Sequence, residues 1–275
     1  MLTQFDFDFE DHKVNAFEGR RSTRPPLLLM HGIGPGASIM NAFSPILSFL
    51  DEHFHVFAMD WIGFGGSDRK RVQPFADFDF WVRQARALMG RMPGEKVYVF
   101  GHSMSAAVAL RLAATDSRVA AVFTTGAVGT TFEMNEHLKR LWTFPASAEE
   151  LKAGLSSLIH DVSAISGEQV ESRWNTLSAG DYGDYFKQML SDPERLIRDW
   201  TLDDAELASI NVPCTLLHGK NDLACPAGST SAVLARKIPG SNLILIDACA
   251  HAPSVEQTAK VRAALRIAFD DAIND

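Results

Sequence analysis

The chain has 275 residues, 46% of them hydrophobic and 22% charged, and a net charge of −8. That size suits one α/β core with an insertion, or two small domains, and the composition can bury a large core. The acidic balance argues against a nucleic-acid or anionic-membrane surface, and no apolar run reaches the roughly 18 residues of a spanning helix.

The first residues, Met1-Leu2-Thr3-Gln4-Phe5-Asp6, are acidic and lack the basic and apolar regions of a signal peptide. The expectation is a soluble, cytoplasmic protein. Short apolar runs alternate with helical stretches, the pattern of a mostly parallel sheet covered by helices. Residues 3–8 and 12–16 predict an antiparallel lead-in. Pro26-Leu27-Leu28-Leu29-Met30 predicts a buried strand, followed by glycine-rich residues 31–36. A helix from about Met40 puts Phe43, Ile46, Leu47 and Leu50 on one face. Val56-Phe57-Ala58-Met59 predicts the next strand, ending at Asp60. Residues 76–91 read as a helix stopped by Pro93-Gly94.

Val97-Tyr98-Val99-Phe100-Gly101-His102-Ser103-Met104 is a β-rich run meeting a glycine and then a serine, ahead of an alanine-rich helical run. It predicts a strand, a sharp turn and a helix with Ser103 at the apex, the arrangement of a nucleophile elbow. Residues 119–125 predict a further strand, ending in Gly126. From about Thr131 to Trp200 the pattern is helical, with candidate helices at 148–160, 167–177 and 182–190. Strand character returns at 212–218 and 242–247, and a last helix covers 255–273. The simplest organisation is a core of residues 1–130 and 201–275, interrupted by a helical insertion at 131–200 that can roof a cleft.

A serine hydroxyl is a poor nucleophile and requires a base and an acid elsewhere. The plain alternative for Ser103 is a helix cap. Asp222, in His218-Gly219-Lys220-Asn221-Asp222, lies beyond the strand end at 212–217. A turn aspartate bonded to its own backbone is the alternative there, and Asp247, after the next strand, is its rival as the acid. His251 follows the last strand, and no histidine comes after it. The carboxylate would hold the imidazole's tautomer and stabilise the imidazolium. Backbone N–H groups of Ile33, in the glycine-rich loop, and of Met104 would stabilise an oxyanion. That loop could also be a structural turn; it is not followed by the Gly-Lys-Ser/Thr of a phosphate-binding loop.

Three cysteines, Cys214, Cys225 and Cys249, cannot pair completely and lack metal-ligand spacing, so free thiols are expected. His53 and His55 lie two apart with no third ligand nearby, so no metal site is expected.

The order Ser103, Asp222, His251 is that of the α/β-hydrolases. The chain resembles that fold along nearly its full length: a mostly parallel sheet of about eight strands, helices on both faces and an inserted helical lid. Within it the chain is similar to the meta-cleavage product hydrolases, carbon–carbon bond hydrolases of bacterial aromatic degradation. The residues carrying this are His31-Gly32-Ile33-Gly34-Pro35-Gly36-Ala37, Asp60-Trp61-Ile62-Gly63-Phe64-Gly65-Gly66-Ser67-Asp68, the elbow, and Gly219-Lys220-Asn221-Asp222. Leu158-Ile159-His160-Asp161 and Glu171-Ser172-Arg173-Trp174 resemble the family's lid. The resemblance implies that Arg173 meets a substrate carboxylate, where a planar guanidinium suits bidentate contact; a salt bridge to Glu171 is the alternative. It also implies substrate contacts from Gly32, Gly34, Asn41, His102 and Trp174. The chain departs from the family at His102, where asparagine is usual, at Ser105, which replaces an elbow glycine, and at Ala252, where tryptophan normally follows the histidine.

The expected activity is cofactor-independent hydrolysis of a small, carboxylated compound from aromatic or heterocyclic breakdown, by carbon–carbon cleavage. The alternatives are an ester, lactone or amide hydrolase with the same triad, a cofactor-free dioxygenase, and a non-catalytic binding protein on this scaffold. The partner expected is a small molecule, with neither nucleic acid nor membrane, and self-association stays open.

Overall fold

The computed structural model describes residues 2–21 and 23–273. In chain order the core opens with β1 (Thr3–Phe9), β2 (His12–Glu18), β3 (Pro26–Met30), α1 (Ile39–His53) and β4 (His55–Met59). It continues with α2 (Phe78–Met89), β5 (Val97–His102), α3 (Met104–Thr115) and β6 (Val119–Thr125). Next come the helices α4 (Glu136–Trp142), α5 (Ala148–Leu155), α6 (Gly167–Leu177), α7 (Tyr182–Met189) and α8 (Pro193–Asp199). Then come α9 (Asp204–Ala208), β7 (Cys214–Gly219), α10 (Ser231–Lys237), β8 (Asn242–Ile246), α11 (Pro253–Glu256), α12 (Thr258–Ala268) and α13 (Asp270–Ile273).

The eight strands form one sheet in the order β1-β2-β4-β3-β5-β6-β7-β8. β2 pairs antiparallel with both β1 and β4, and every other pairing is parallel. Strands covered on both faces read as continuous apolar runs, and all five residues of β3 are buried. Alternation divides them: Leu28 and Met30 join one apolar cluster, Leu27 and Leu29 the other. The first cluster also takes in α2, α3 and the helices between β6 and β7. The second is closed by α1 and α12, through Phe43, Ile46, Leu50, Val261 and Leu265. Among the described residues no helix is long and apolar enough to cross a membrane.

Capping explains several boundaries. Ser38 accepts from the Asn41 N–H, so α1 begins at Ile39. Asp77 accepts from the Phe80 N–H at 3.0 Å, so α2 begins at Phe78, two residues later than its periodicity suggests. The expected helix at 148–160 stops at Leu155, and the last helix is three pieces. One break falls at Gln257, whose Nε2 donates to the Ala248 carbonyl at 2.7 Å. The other falls at Phe269, which is wholly buried against the second cluster.

Candidate active site

The loops after β3, β5, β7 and β8 all leave the C-terminal edge of the parallel strands, where open α/β sheets bind ligands. Ser103 follows β5 in the middle of the sheet and has φ +58°, a left-handed conformation that a non-glycine residue adopts only when its surroundings enforce it. Gly101 makes this turn possible, because a Cβ there would sit 2.3 Å from the Ser105 carbonyl oxygen. The Ser103 N–H donates to the Thr125 carbonyl at 2.9 Å, tying the turn to β6. Its side chain caps no backbone N–H. Instead Ser103 Oγ lies 2.9 Å from His251 Nε2.

His251 Nδ1 lies 2.6 Å from Asp222 Oδ2. Ser103, His251 and Asp222 are therefore one hydrogen-bonded chain, and all three are buried. The turn reading of Asp222 survives only in part: its Oδ1 accepts the Cys225 N–H at 2.9 Å, while Oδ2 faces the imidazole. Asp247 is exposed and makes no such contact. Burial opposes the Asp222 charge, but the charge and hydrogen bond of His251 and the hydrogen bond of His218 outweigh it, holding the carboxyl below the usual carboxylate range. Burial likewise opposes charging of His251, and Asp222 outweighs it, so the imidazole pKa is raised.

The glycine-rich loop after β3 lies directly against the elbow. A Cβ on Gly32 would sit 2.7 Å from the Ser103 Cβ, so only glycine allows this approach. Ser105, where the family's elbow has glycine, reinforces the contact: its hydroxyl donates to the His31 carbonyl, and Trp61 Nε1 donates to the same oxygen at 2.7 Å. Among the described residues neither the Ile33 nor the Met104 N–H carries a hydrogen bond.

A chamber of about 980 Å³, its open mouth included, lies over this edge. Gly32, Ile33, Gly34, Asn41, His102 and His251 line its floor. The segment between β6 and β7 supplies an apolar roof of Leu141, Leu155, Leu158, Ile159 and Ile165. Asn41 Nδ2 donates to the Gly36 carbonyl at 2.8 Å and so holds the loop's shape. The His102 Nδ1 contacts the Thr125 carbonyl at 3.1 Å, which can only accept, so Nδ1 carries the proton. Burial, reinforced by His251, pushes the His102 pKa down to about 3. The ring is neutral, and its Nε2 is left as a lone-pair acceptor.

Arg173 also lines the chamber, and its Nη1 donates to the Pro35 carbonyl at 3.1 Å. Among the described residues no carboxylate pairs with it, so the Glu171 salt bridge is not formed. Burial lowers its pKa to about 10, which leaves it charged at neutral pH. Trp174 packs half-buried against the first apolar cluster and is not among the chamber's lining residues.

Several contributors escape sequence reasoning. His218 Nε2 donates to Asp222 Oδ2 at 2.8 Å, and its Nδ1 lies 2.6 Å from Ser231 Oγ. Its spacing four residues before Asp222 was the available signal. Thr125 and Glu256 carry no motif. The three cysteines are free and buried.

Residues 27–264 match the alpha/beta hydrolase family. The chain belongs to that family. A 2-hydroxy-6-oxo-2,4-heptadienoate hydrolase from Pseudomonas putida is 26% identical over 234 residues, 84% of each chain. A serine hydrolase from the polyaromatic-hydrocarbon-degrading bacterium Cycloclasticus zankles superposes with a TM-score of 0.91 at 25% identity, covering 100% of both chains. The 2-hydroxy-6-oxo-6-phenylhexa-2,4-dienoate hydrolase of a Rhodococcus species gives 0.90 at 25% identity, over 98% of this hydrolase and 99% of that chain. The resemblance to the meta-cleavage product hydrolases thus extends through the whole hydrolase.

Proposed function

We propose that the hydrolase cleaves a carbon–carbon bond in a small, carboxylated ring-cleavage product of aromatic degradation. The observation that carries this reading is the Arg173 guanidinium, with no carboxylate beside it among the described residues, lining the same chamber as His251 and the glycine-rich loop. A part-buried guanidinium with no anion beside it is costly unless a ligand brings one. One of its five N–H donors is used by Pro35, leaving the others for a carboxylate.

In the proposed mechanism the dienol substrate is first ketonised, with His251 mediating the proton transfer, so that a carbon leaving group can depart. His251 then takes the proton of Ser103 Oγ, or of an attacking water, as the new C–O bond forms at the carbonyl carbon. The N–H groups of Ile33 and Met104 stabilise the tetrahedral oxyanion. The carbon–carbon bond breaks, its electron pair leaves on the carbon fragment, and His251 returns the proton to it. An acyl group on Ser103 is released by water activated in the same way. Asp222 keeps His251 in the required tautomer. Asn41, His102, Gly32 and Gly34 would contact the substrate, and residues 131–200 would serve as its lid.

Arg173→Ala tests the reading. The wild-type hydrolase is expected to consume yellow 2-hydroxy-6-oxo-dienoates in preference to nitrophenyl acetate. The variant should lose about 2–4 kcal/mol of transition-state stabilisation on the dienoate, the range for truncating one partner of a buried charge pair. It should barely change on the neutral ester. Equal losses on both would reduce Arg173 to a strut for the Pro35 loop, and a wild type that hydrolyses esters alone would replace carbon–carbon cleavage with ester hydrolysis.

A further inference from the structure

One carboxylate outside the triad touches both the loop that carries His251 and the segment that roofs the chamber. Glu256 ends α11, five residues after His251. Its Oε1 accepts the N–H of Ala250 at 2.9 Å and that of Ala252 at 3.3 Å, the residues on either side of His251. Its Oε2 accepts the His160 N–H at 2.5 Å, across 96 residues of sequence. A second tie runs beside it: the His251 N–H donates to the Leu158 carbonyl at 3.0 Å. Leu158 and Ile159 line the chamber roof, so the roof's edge and the His251 backbone are held as one unit.

The sequence shows why the roof must hang there. The helical pattern over 148–160 is cut short at Leu155, and residues 156–161 leave the helix. The N–H groups of residues 156–158 still donate to carbonyls of α5, but the Leu158 carbonyl and the His160 N–H lie beyond it and need partners elsewhere. The His251 loop supplies two, a backbone donor and the Glu256 carboxylate. Hydrogen bonds to an ionised acceptor are stronger than those between neutral groups, and here one carboxylate collects three N–H donors.

We propose that Glu256 is a positioning residue that couples the seating of the roof to the placement of His251. With residues 158–160 seated, the loop 250–252 is clamped from both sides and Nε2 stays within reach of Ser103 Oγ. With the roof lifted, Leu158 and His160 withdraw their contacts and the loop loses its register. The base is then fully assembled only over an enclosed chamber, which limits reaction in the open, wet site. This rests on reading Ser103 and His251 as nucleophile and base, but not on which bond is cleaved.

The test uses the whole enzyme with Glu256→Gln and, separately, His160→Pro, which removes one N–H and leaves the carboxylate intact. Two quantities are read: amide hydrogen exchange in residues 156–162 and 248–252, and the rate of Ser103 acylation by nitrophenyl acetate. In Glu256→Gln both segments should exchange about tenfold faster or more, and acylation should fall by about tenfold with KM little changed. In His160→Pro the 248–252 segment should also exchange faster, and acylation should fall, although every group near His251 is unaltered. If His160→Pro leaves 248–252 and acylation as in the wild type, Glu256 serves only its own loop and the coupling is refuted. The same holds if Glu256→Gln changes neither quantity. Should Glu256→Gln fail to fold, His160→Pro decides alone. An enzyme that acylates normally but never cleaves dienoates would overturn the substrate reading and leave this one standing.

Discussion

Asp222 and Asp247 are chemically identical, and each follows a strand that neighbours the other. What separates them is the direction in which each loop leaves the sheet. The β7 loop turns its carboxylate into the interior, where Oδ2 meets both His251 and His218. The β8 loop leaves Asp247 in water, offering only its carbonyl to Lys260. Replacing Asp222 by Asn keeps the shape but presents an amide that can leave His251 in the wrong tautomer. Asp222→Asn should therefore lower kcat by about 10³-fold or more, whereas Asp247→Asn should stay within about threefold of wild type. Steady-state kinetics on one substrate checks both, and a reversed ranking would transfer the acid's role. Ser103, Asp222 and His251, which the structure brings into one hydrogen-bonded chain, are legible in the sequence because each sits just past a strand. Thr125 and Glu256 are not, because their contributions exist only once distant segments meet, whereas His218 was signalled only by its spacing four residues before Asp222.

At the scale of the element, the sheet was legible because buried parallel strands announce themselves as apolar runs ended by glycine or aspartate, as at Asp60 after β4 and Gly126 after β6. Helix ends were less so. The stripe of Val170, Trp174 and Leu177 correctly predicts α6, and Val170 and Leu177 are buried. Periodicity fixes a face but not its phase over a cavity, so Trp174 goes to the cluster while Arg173 reaches the chamber. The loop after β3 shows a tighter constraint. Gly32 lies so near Ser103 that a methyl group would force the loop or the elbow to move. Either shift would carry the Ile33 N–H away from the oxyanion it is proposed to stabilise. Gly32→Ala should reduce kcat by about 10²-fold or more, the cost of losing one oxyanion donor. Its melting temperature should fall as well, since Gly32 is buried against the elbow. A variant with full activity would show that the loop's N–H groups take no part.

For the whole molecule, the same proton links activity to stability with opposite signs. Asp222 raises the pKa of His251 in the folded protein above its ordinary 6.5, against the pull of burial. As a base His251 must be neutral, so kcat/KM should decline as pH falls through that raised value. Stability runs the other way. A group whose folded pKa exceeds its unfolded one stabilises the fold fully below the unfolded value, and loses that contribution as pH rises through the folded value. The wild type should thus gain stability over a His251→Gln variant as pH drops from the alkaline side toward 6.5, with no further gain below. Urea unfolding midpoints of the two proteins between about pH 6 and pH 9 measure the difference. A gap that widens toward pH 9 would mean that the fold prefers neutral His251, and that burial, not Asp222, governs the base. A gap that narrows there, together with a kcat/KM limb in the same window, would show that this fold holds its base at the expense of a more stable charged state.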